Sequence, residues 1–482
     1  MARTDESPEA LYHALPQSPD VPDPSDVELD GETADTRQPP SDPPAALVDS
    51  RVGWIHFILG CSVLLPWNVM ITATPYFLSR VAGSPLRSTF SSYLSTSFTA
   101  SNFIFLAHAT ATSKHSTPSR LTRVTILWLA ALTFLLVIST FFVVSPGLFF
   151  AFVLLNGAVQ ATAGAYLQTA IVAVASLFGP LAVQAMMSGQ AAVAVAVSGV
   201  QVLSAATSVW GKPRTYVSDG SAEERAAFLF FTLSTLFLLI SAGAHAWLVS
   251  MPIYKTVAAP LERRRKPGPG TSDEHRGLVS GGREEIKNDT TNAIRVGKAN
   301  LTYEIAVAYV FMVTLAVYPP ITTSVQPTNP TTHPLLFSAV HFLVFNVGDL
   351  FGRYICSFPR LMIWSAKKLL TLSMARTLFV PLFLMCNIQR PSSTVVNTPI
   401  INSDFMFMLL LFFLGLSNGY VSSMCMMAAP SIEHNPRLKG RVEDVDVAAT
   451  MASFCLVGGL ALGSIGSFAV RAAVCGCNPF TE

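Results

Sequence analysis

The sequence predicts an all-α polytopic membrane protein with eleven transmembrane helices, and three observations carry that expectation. Of its 482 residues, 51% are hydrophobic and only 12% are charged, about half the charge of a typical soluble chain. The charges are also uneven: Val124 to Phe152 and Leu154 to Val209 contain none. Apolar runs recur that reach the roughly 20 residues a helix needs to cross a bilayer. No water-facing surface is built from such sequence. Soluble enzymes, nucleic-acid binders and secreted disulfide scaffolds are therefore excluded.

Residues 1–50 contain nine prolines and twelve acids against Arg3 and Arg37, a local charge of −10 that leaves +12 on the rest. Such a segment buries too little apolar surface to offset its ordering entropy, so a disordered acidic tail is expected. It lacks the basic start and short apolar core of a signal peptide, so the first apolar segment is read as a retained helix.

The eleven expected spans are 53–78, 88–111, 124–145, 148–176, 180–208, 226–250, 302–323, 335–357, 367–387, 404–429 and 446–472. The one long interruption is 251–300, with Arg263-Arg264-Arg265-Lys266 and several glycines. It reads as a flexible cytoplasmic loop between a six-helix bundle (51–250) and a five-helix bundle (301–482). With the N-terminus inside, cytoplasmic segments hold 22 Lys and Arg and the opposite side seven. That bias places the N-terminus in the cytoplasm and the C-terminus across the membrane. The Asn-X-Thr sequons at Asn288 and Asn300 are then cytoplasmic and unglycosylated.

The seven cysteines are scattered, mostly within apolar runs, where they behave as small hydrophobes. Cys475-Gly-Cys477 has no His or further Cys cluster beside it, so no metal site is expected. Nor is a phosphate-cradling glycine loop or nucleophile motif present at working spacing, so the chain is read as a non-enzyme that needs no cofactor. A multi-helix chain of this kind without an enzymatic domain is most often a transporter. No selectivity-filter sequence or Arg-rich voltage sensor points to a channel.

Ionisable groups within spans are costly, so each asks for a reason. Asp349 and Arg353 are one helical turn apart and can pair, with Asn346 on the same face. A structural ion pair between helices is one reading. A grip on a polyhydroxylated solute is the other. Asn156, Gln160, Gly164 and Gln168 form a second stripe at intervals of four, whose amides suit another helix or a ligand equally. In Leu65-Pro66-Trp67-Asn68 the proline kinks the helix, and Asn68 or Thr72 can satisfy carbonyls near the break. Trp67 is either an interfacial anchor or a flat wall for an aromatic solute. Ser417-Asn418-Gly419-Tyr420 is a further polar, flexible patch. Ala191-Ala192-Val-Ala194-Val-Ala196 and Gly459-X-X-X-Gly463-X-X-Gly466 read as surfaces for close helix contact. His108, His245 and His341 read as hydrogen-bonded bystanders.

Four patches together resemble the equilibrative nucleoside transporter family: Pro66-Trp67-Asn68 with Thr72-Ala73 and Tyr76-Phe77; Gly164-Ala165-Tyr166-Leu167-Gln168; Phe345-Asn346-Val347-Gly348-Asp349-Leu350-Phe351-Gly352-Arg353; and Ser417-Asn418-Gly419-Tyr420 running to Ala429-Pro430. The resemblance implies a major-facilitator-like fold, with alternating access between the two bundles. It also implies passive movement of nucleosides and sometimes nucleobases. On that likeness Asp349 and Arg353 hold the ribose hydroxyls and Gln168 bonds the base. Trp67 lines the pocket, while Asn68 and Asn346 are supporting polar groups. Ser188-Gly189-Gln190 matches a family pattern that usually continues with glycine, where this chain has Ala191. The long acidic tail resembles intracellular members more than plasma-membrane ones. The implied partners are a purine or pyrimidine nucleoside and the lipid bilayer, with no nucleic acid, and a monomer is the default. Two alternatives stay open: a proton-coupled symporter that uses Asp349 or a histidine, and a non-transporting membrane receptor or scaffold.

Overall fold

The computed structural model describes residues 49–87, 89–210, 221–260, 262, 281–318, 321–329, 332–388 and 399–475. The expected tail, residues 263–280 of the central loop and Cys477 lie outside the described residues. Among those described, regular structure is helical apart from two isolated β-bridges, Val325 with Ile388 and Cys386 with Ile401. Helix is what a bilayer demands, because each backbone N–H and C=O then finds its partner within its own segment.

Helix α1 (Ser50–Thr72) passes through a break at Ala73 into α2 (Thr74–Arg80). Then come α3 (Phe90–Ala111), α4 (Pro118–Ser139), α5 (Pro146–Leu177), α6 (Pro180–Trp210), α7 (Ser221–Ser250) and the short α8 (Pro252–Val257). The second group is α9 (Gly281–Val317), α10 (Pro334–Ile355), α11 (Ala366–Ala375), α12 (Phe379–Leu384), α13 (Asp404–Ala428) and α14 (Val445–Cys475). Proline opens several of them, a position where its missing N–H has no partner to lose.

Nine helices among the described residues are long and apolar enough to cross a membrane. The two remaining expected spans are also helical. Helix α3 is diluted by serine and threonine, whereas α11 and α12 are joined by a 3-10 turn, Arg376–Leu378, that carries a charge. The main difference from expectation is at α9, which begins at Gly281 instead of residue 302. Its first turns contain Arg283, Glu284, Glu285 and Lys287, good helix formers whose polarity conceals them from a search for apolar runs.

Glycines decide which helices touch most closely. A Cβ on Gly60 would stand 2.0 Å from the Met186 carbonyl oxygen and one on Gly189 2.0 Å from that of Phe57, so α1 and α6 meet backbone to backbone. Gly459 lies equally close to Ala308 across the α9–α14 seam, with Gly463 against Met312. The expected third member, Gly466, has nothing within 4 Å. Between α10 and α13 the contact is reciprocal: Gly348 and Gly352 face the carbonyls of Phe412 and Leu416, while Gly415 and Gly419 face those of Phe345 and Asp349. Small residues are the means by which helices associate where burial from water supplies no drive.

Helices α1–α7 pack largely among themselves, as do α9–α14; between them α6 packs on α10 and α13, and α14 on α5 and α3. Phe103 of α3 stacks on Phe454 of α14 with centroids 5.7 Å apart. Asn300 is wholly buried, donating to the Ala429 carbonyl and accepting from Asn435, so no glycan fits on it.

Candidate functional site

The α10–α13 glycine seam brings Asp349 beside Asn418. Arg353 Nε donates to Asp349 Oδ2 at 2.8 Å, and Asn418 Nδ2 donates to Asp349 Oδ1 at 2.6 Å. Both ends of the ion pair are buried. Arg353 also reaches across to α6, where its Nη1 donates to the Met187 carbonyl at 3.0 Å. In return, Gln184 Nε2 donates to the Arg353 carbonyl at 3.0 Å. The pair is therefore sited where the two groups of helices meet, and in this conformation it is engaged with protein atoms.

The network continues beyond the residues expected from sequence. The Thr314 hydroxyl of α9 donates to Asn418 Oδ1 at 2.8 Å, and Arg376 Nη2 donates to Thr314 Oγ1 at 2.6 Å. Arg376 Nη1 donates to the Leu414 carbonyl at 3.1 Å and to the Ser417 hydroxyl. Arg376 is 2% exposed, and its Nε has no partner. Two guanidiniums thus share one network with a single carboxylate. Burying charge is tolerated when each is hydrogen-bonded, and here each guanidinium has at least two protein partners.

The remaining expected residues separate. Gln168, half-buried on α5, donates from Nε2 to Ser453 Oγ of α14 at 2.8 Å, so it too spans the two groups. Gly164, one turn earlier on that face, has open space beside it, with nothing within 4 Å of a built Cβ. Asn156 and Gln160 belong elsewhere: Asn156 is buried and donates to the Leu132 carbonyl of α4, and Gln160 donates to Asn156 Oδ1. Trp67 is half-buried in the last third of α1 and lies against Phe98 of α3, centroids 4.5 Å apart. Asn68 bonds back to the Leu64 carbonyl of its own helix at 2.9 Å, and Thr72 to that of Asn68 at 2.8 Å. Pro66 frees the Ser62 carbonyl, which neither of them meets. Asn346 donates to Ser198 Oγ and the Ala194 carbonyl of α6.

Sequence reasoning missed Thr314, Ser453 and Gln184 as partners. Asn418 lay in a polar patch that could have flagged it, whereas single Ser, Thr and Gln residues in spans carry no such signal.

Residues 154–472 match the family described as nucleoside transporter. The chain belongs to the nucleoside transporter family. It is 26% identical to equilibrative nucleoside transporter 1 of Rattus norvegicus over 475 residues, covering 87% of this chain and 96% of that one. It is 27% identical to equilibrative nucleoside transporter 3 of the same species, covering 85% and 86%. Among solved structures, the fucose:proton symporter of E. coli aligns with a TM-score of 0.48 at 11% identity, covering 88% of this chain and 93% of that one.

In this nucleoside transporter family member, Arg376 is predicted to hold the site together. Arg376→Leu removes charge-assisted bonds to Thr314, Ser417 and the Leu414 carbonyl, and a hydrogen bond to a charged group contributes about 1.5–3 kcal/mol. A clear fall in melting temperature in detergent is expected, with partial recovery in Arg376→Lys. Melting temperatures equal to wild type in both variants would refute the assignment.

Proposed function

We propose that this protein moves nucleosides passively across a membrane by alternating access, with residues 51–250 and 301–482 as the two moving bundles. The observation that carries this reading is the Asp349–Arg353 pair at the meeting face of the two helix groups, in a chain of the nucleoside transporter family. A nucleoside combines a flat base with vicinal sugar hydroxyls and bears no net charge. The ribose hydroxyls donate to Asp349 and accept from Arg353. The base lies against Trp67, with Gln168 as its hydrogen-bond partner and the open space at Gly164 beside it. Asn68 and Asn346 are supporting polar groups.

Binding in this scheme is an exchange of partners. Arg353 leaves the Met187 carbonyl and Asp349 leaves Asn418, and sugar hydroxyls take both places. Because Met187 is on α6 of the other bundle, the exchange couples occupancy to the fit between bundles. The contacts of Gln184, Arg353, Phe103 and Phe454 close the end that the basic loops assign to the cytoplasm. The N-terminus is on that side and the C-terminus opposite.

Uptake of labelled uridine into proteoliposomes, competed by a panel of nucleosides and bases at two pH values, tests the proposal. Equilibration without accumulation is expected. Accumulation under an inward proton gradient would replace passive carriage with proton coupling, and absence of any flux would favour a receptor or scaffold. Gln168→Ala is expected to raise KM about tenfold, the loss of roughly one hydrogen bond. An unchanged KM would remove Gln168 from the base site.

A further inference from the structure

The alanines of α6 were expected to mediate close helix contact, and only part of that stretch does. Ala191 is buried, but Ala196 is exposed and, with Ala192, lines a cavity of about 390 Å³. Its floor is α1 at Cys61 and Leu65; one wall is α6 at Ala196 and Val200, and the other is α7 at Leu233 and Phe237. Helices α6 and α7 both pack on α1, yet they barely touch each other. The small side chains of α6 leave the slot between them.

We propose that this slot is a binding site for one acyl chain of a membrane phospholipid. Three observations support hydrocarbon as its occupant. Val200 and Leu233 at the rim are exposed, as are Leu203 and Leu229 nearby, so the slot opens onto the apolar surface that faces lipid. The polar atoms along it are spent within the protein: the Cys61 thiol donates to the Gly189 carbonyl, and the Ser234 hydroxyl to that of Phe230. A ligand therefore meets no free donor. The lining residues also belong to the central turns of all three helices, at the depth of acyl chains. An acyl chain asks for no hydrogen bond along this length.

The slot has a route to the transport path. Leu65 on its floor immediately precedes Pro66 and Trp67, and α6 also bears Met187 and Ser198, which bond to Arg353 and Asn346. A chain in the slot thus supports the kinked turn of α1 and the helix that meets α10. This inference requires only that the chain spans a bilayer, and it stands apart from the nucleoside reading.

The test is photolabelling in proteoliposomes made with phosphatidylcholine that carries a diazirine midway along one acyl chain. Adducts are expected to concentrate on peptides covering 192–200 and 230–237, above those on the exposed α4 residues Leu127, Trp128 and Leu135. In Ala196→Trp, whose indole fills the slot, these adducts are expected to fall about tenfold while those on α4 stay constant. Ala192→Phe serves the same purpose if the first variant elutes as aggregate in size-exclusion chromatography. Labelling no greater than on α4, or undiminished in a folded variant, overturns the site. Displacement of the adducts by a sterol but not by excess phospholipid overturns the acyl-chain assignment.

Discussion

Asp349→Asn is expected to lower nucleoside flux per folded protein in proteoliposomes about a hundredfold, close to 2.7 kcal/mol. Asparagine keeps the shape of aspartate but offers one acceptor oxygen to two donors, so either Arg353 Nε or Asn418 Nδ2 loses its acceptor and some folded yield is lost as well. The negative charge facing Arg353 is also lost, and hydrogen bonds to charged groups contribute about 1.5–3 kcal/mol. Arg353→Ala goes further, because it also removes the bond to the Met187 carbonyl. It leaves a carboxylate, less than a tenth exposed, without its ion partner, a change that costs about 3–5 kcal/mol when one member of a buried pair is removed. Folded yield should fall along with flux. Flux assays normalised to folded protein separate the two effects. Near-normal flux in Asp349→Asn would make the pair a structural clamp and no grip on the sugar.

Gly419→Ala is expected to destabilise the bundle more than any other single methyl group added on this seam. Its Cβ would lie 1.9 Å from the Asp349 carbonyl oxygen, which is main chain and cannot swing aside. Overpacking typically costs about 1–3 kcal/mol, and contact with rigid backbone puts this case at the upper end or beyond. Helices α10 and α13 must separate, and Asn418 then moves away from Asp349. A markedly lower melting temperature and little flux should result. Gly164→Ala is the contrasting case, since its Cβ meets nothing within 4 Å. It should melt as wild type does, so any change in its uptake reports on the space beside Gln168. Equal stability of the two variants would contradict the account of the seam.

The spans were legible because their signal is one-dimensional. Apolar length identifies a membrane helix whatever its neighbours are, and each of the eleven expected spans has helical residues in its place. Boundaries failed where the signal changes kind. The polar turns at the start of α9 form helix outside the apolar run, and Arg376 interrupts the ninth span with a 3-10 turn. At the site, Asp349 and Arg353 were legible as a pair because a four-residue spacing is a property of one helix. Asn156 and Gln168 looked alike by the same rule, on one stripe of α5. Their difference arises from the neighbouring helix: α4 takes the first, and α14 meets the second.

The amino-acid sequence alone determined that this chain crosses a membrane many times, and that Asp349 and Arg353 lie inside a span on one helix face. These are consequences of hydropathy and helical period, both local. Only the tertiary structure decided that Arg353 bonds to α6, that Arg376 joins the Asp349 network through Thr314 and Asn418, and that α6 and α7 leave a slot over α1. Those outcomes depend on which glycine meets which carbonyl across a seam, a matter of tenths of an ångström between segments far apart in the chain.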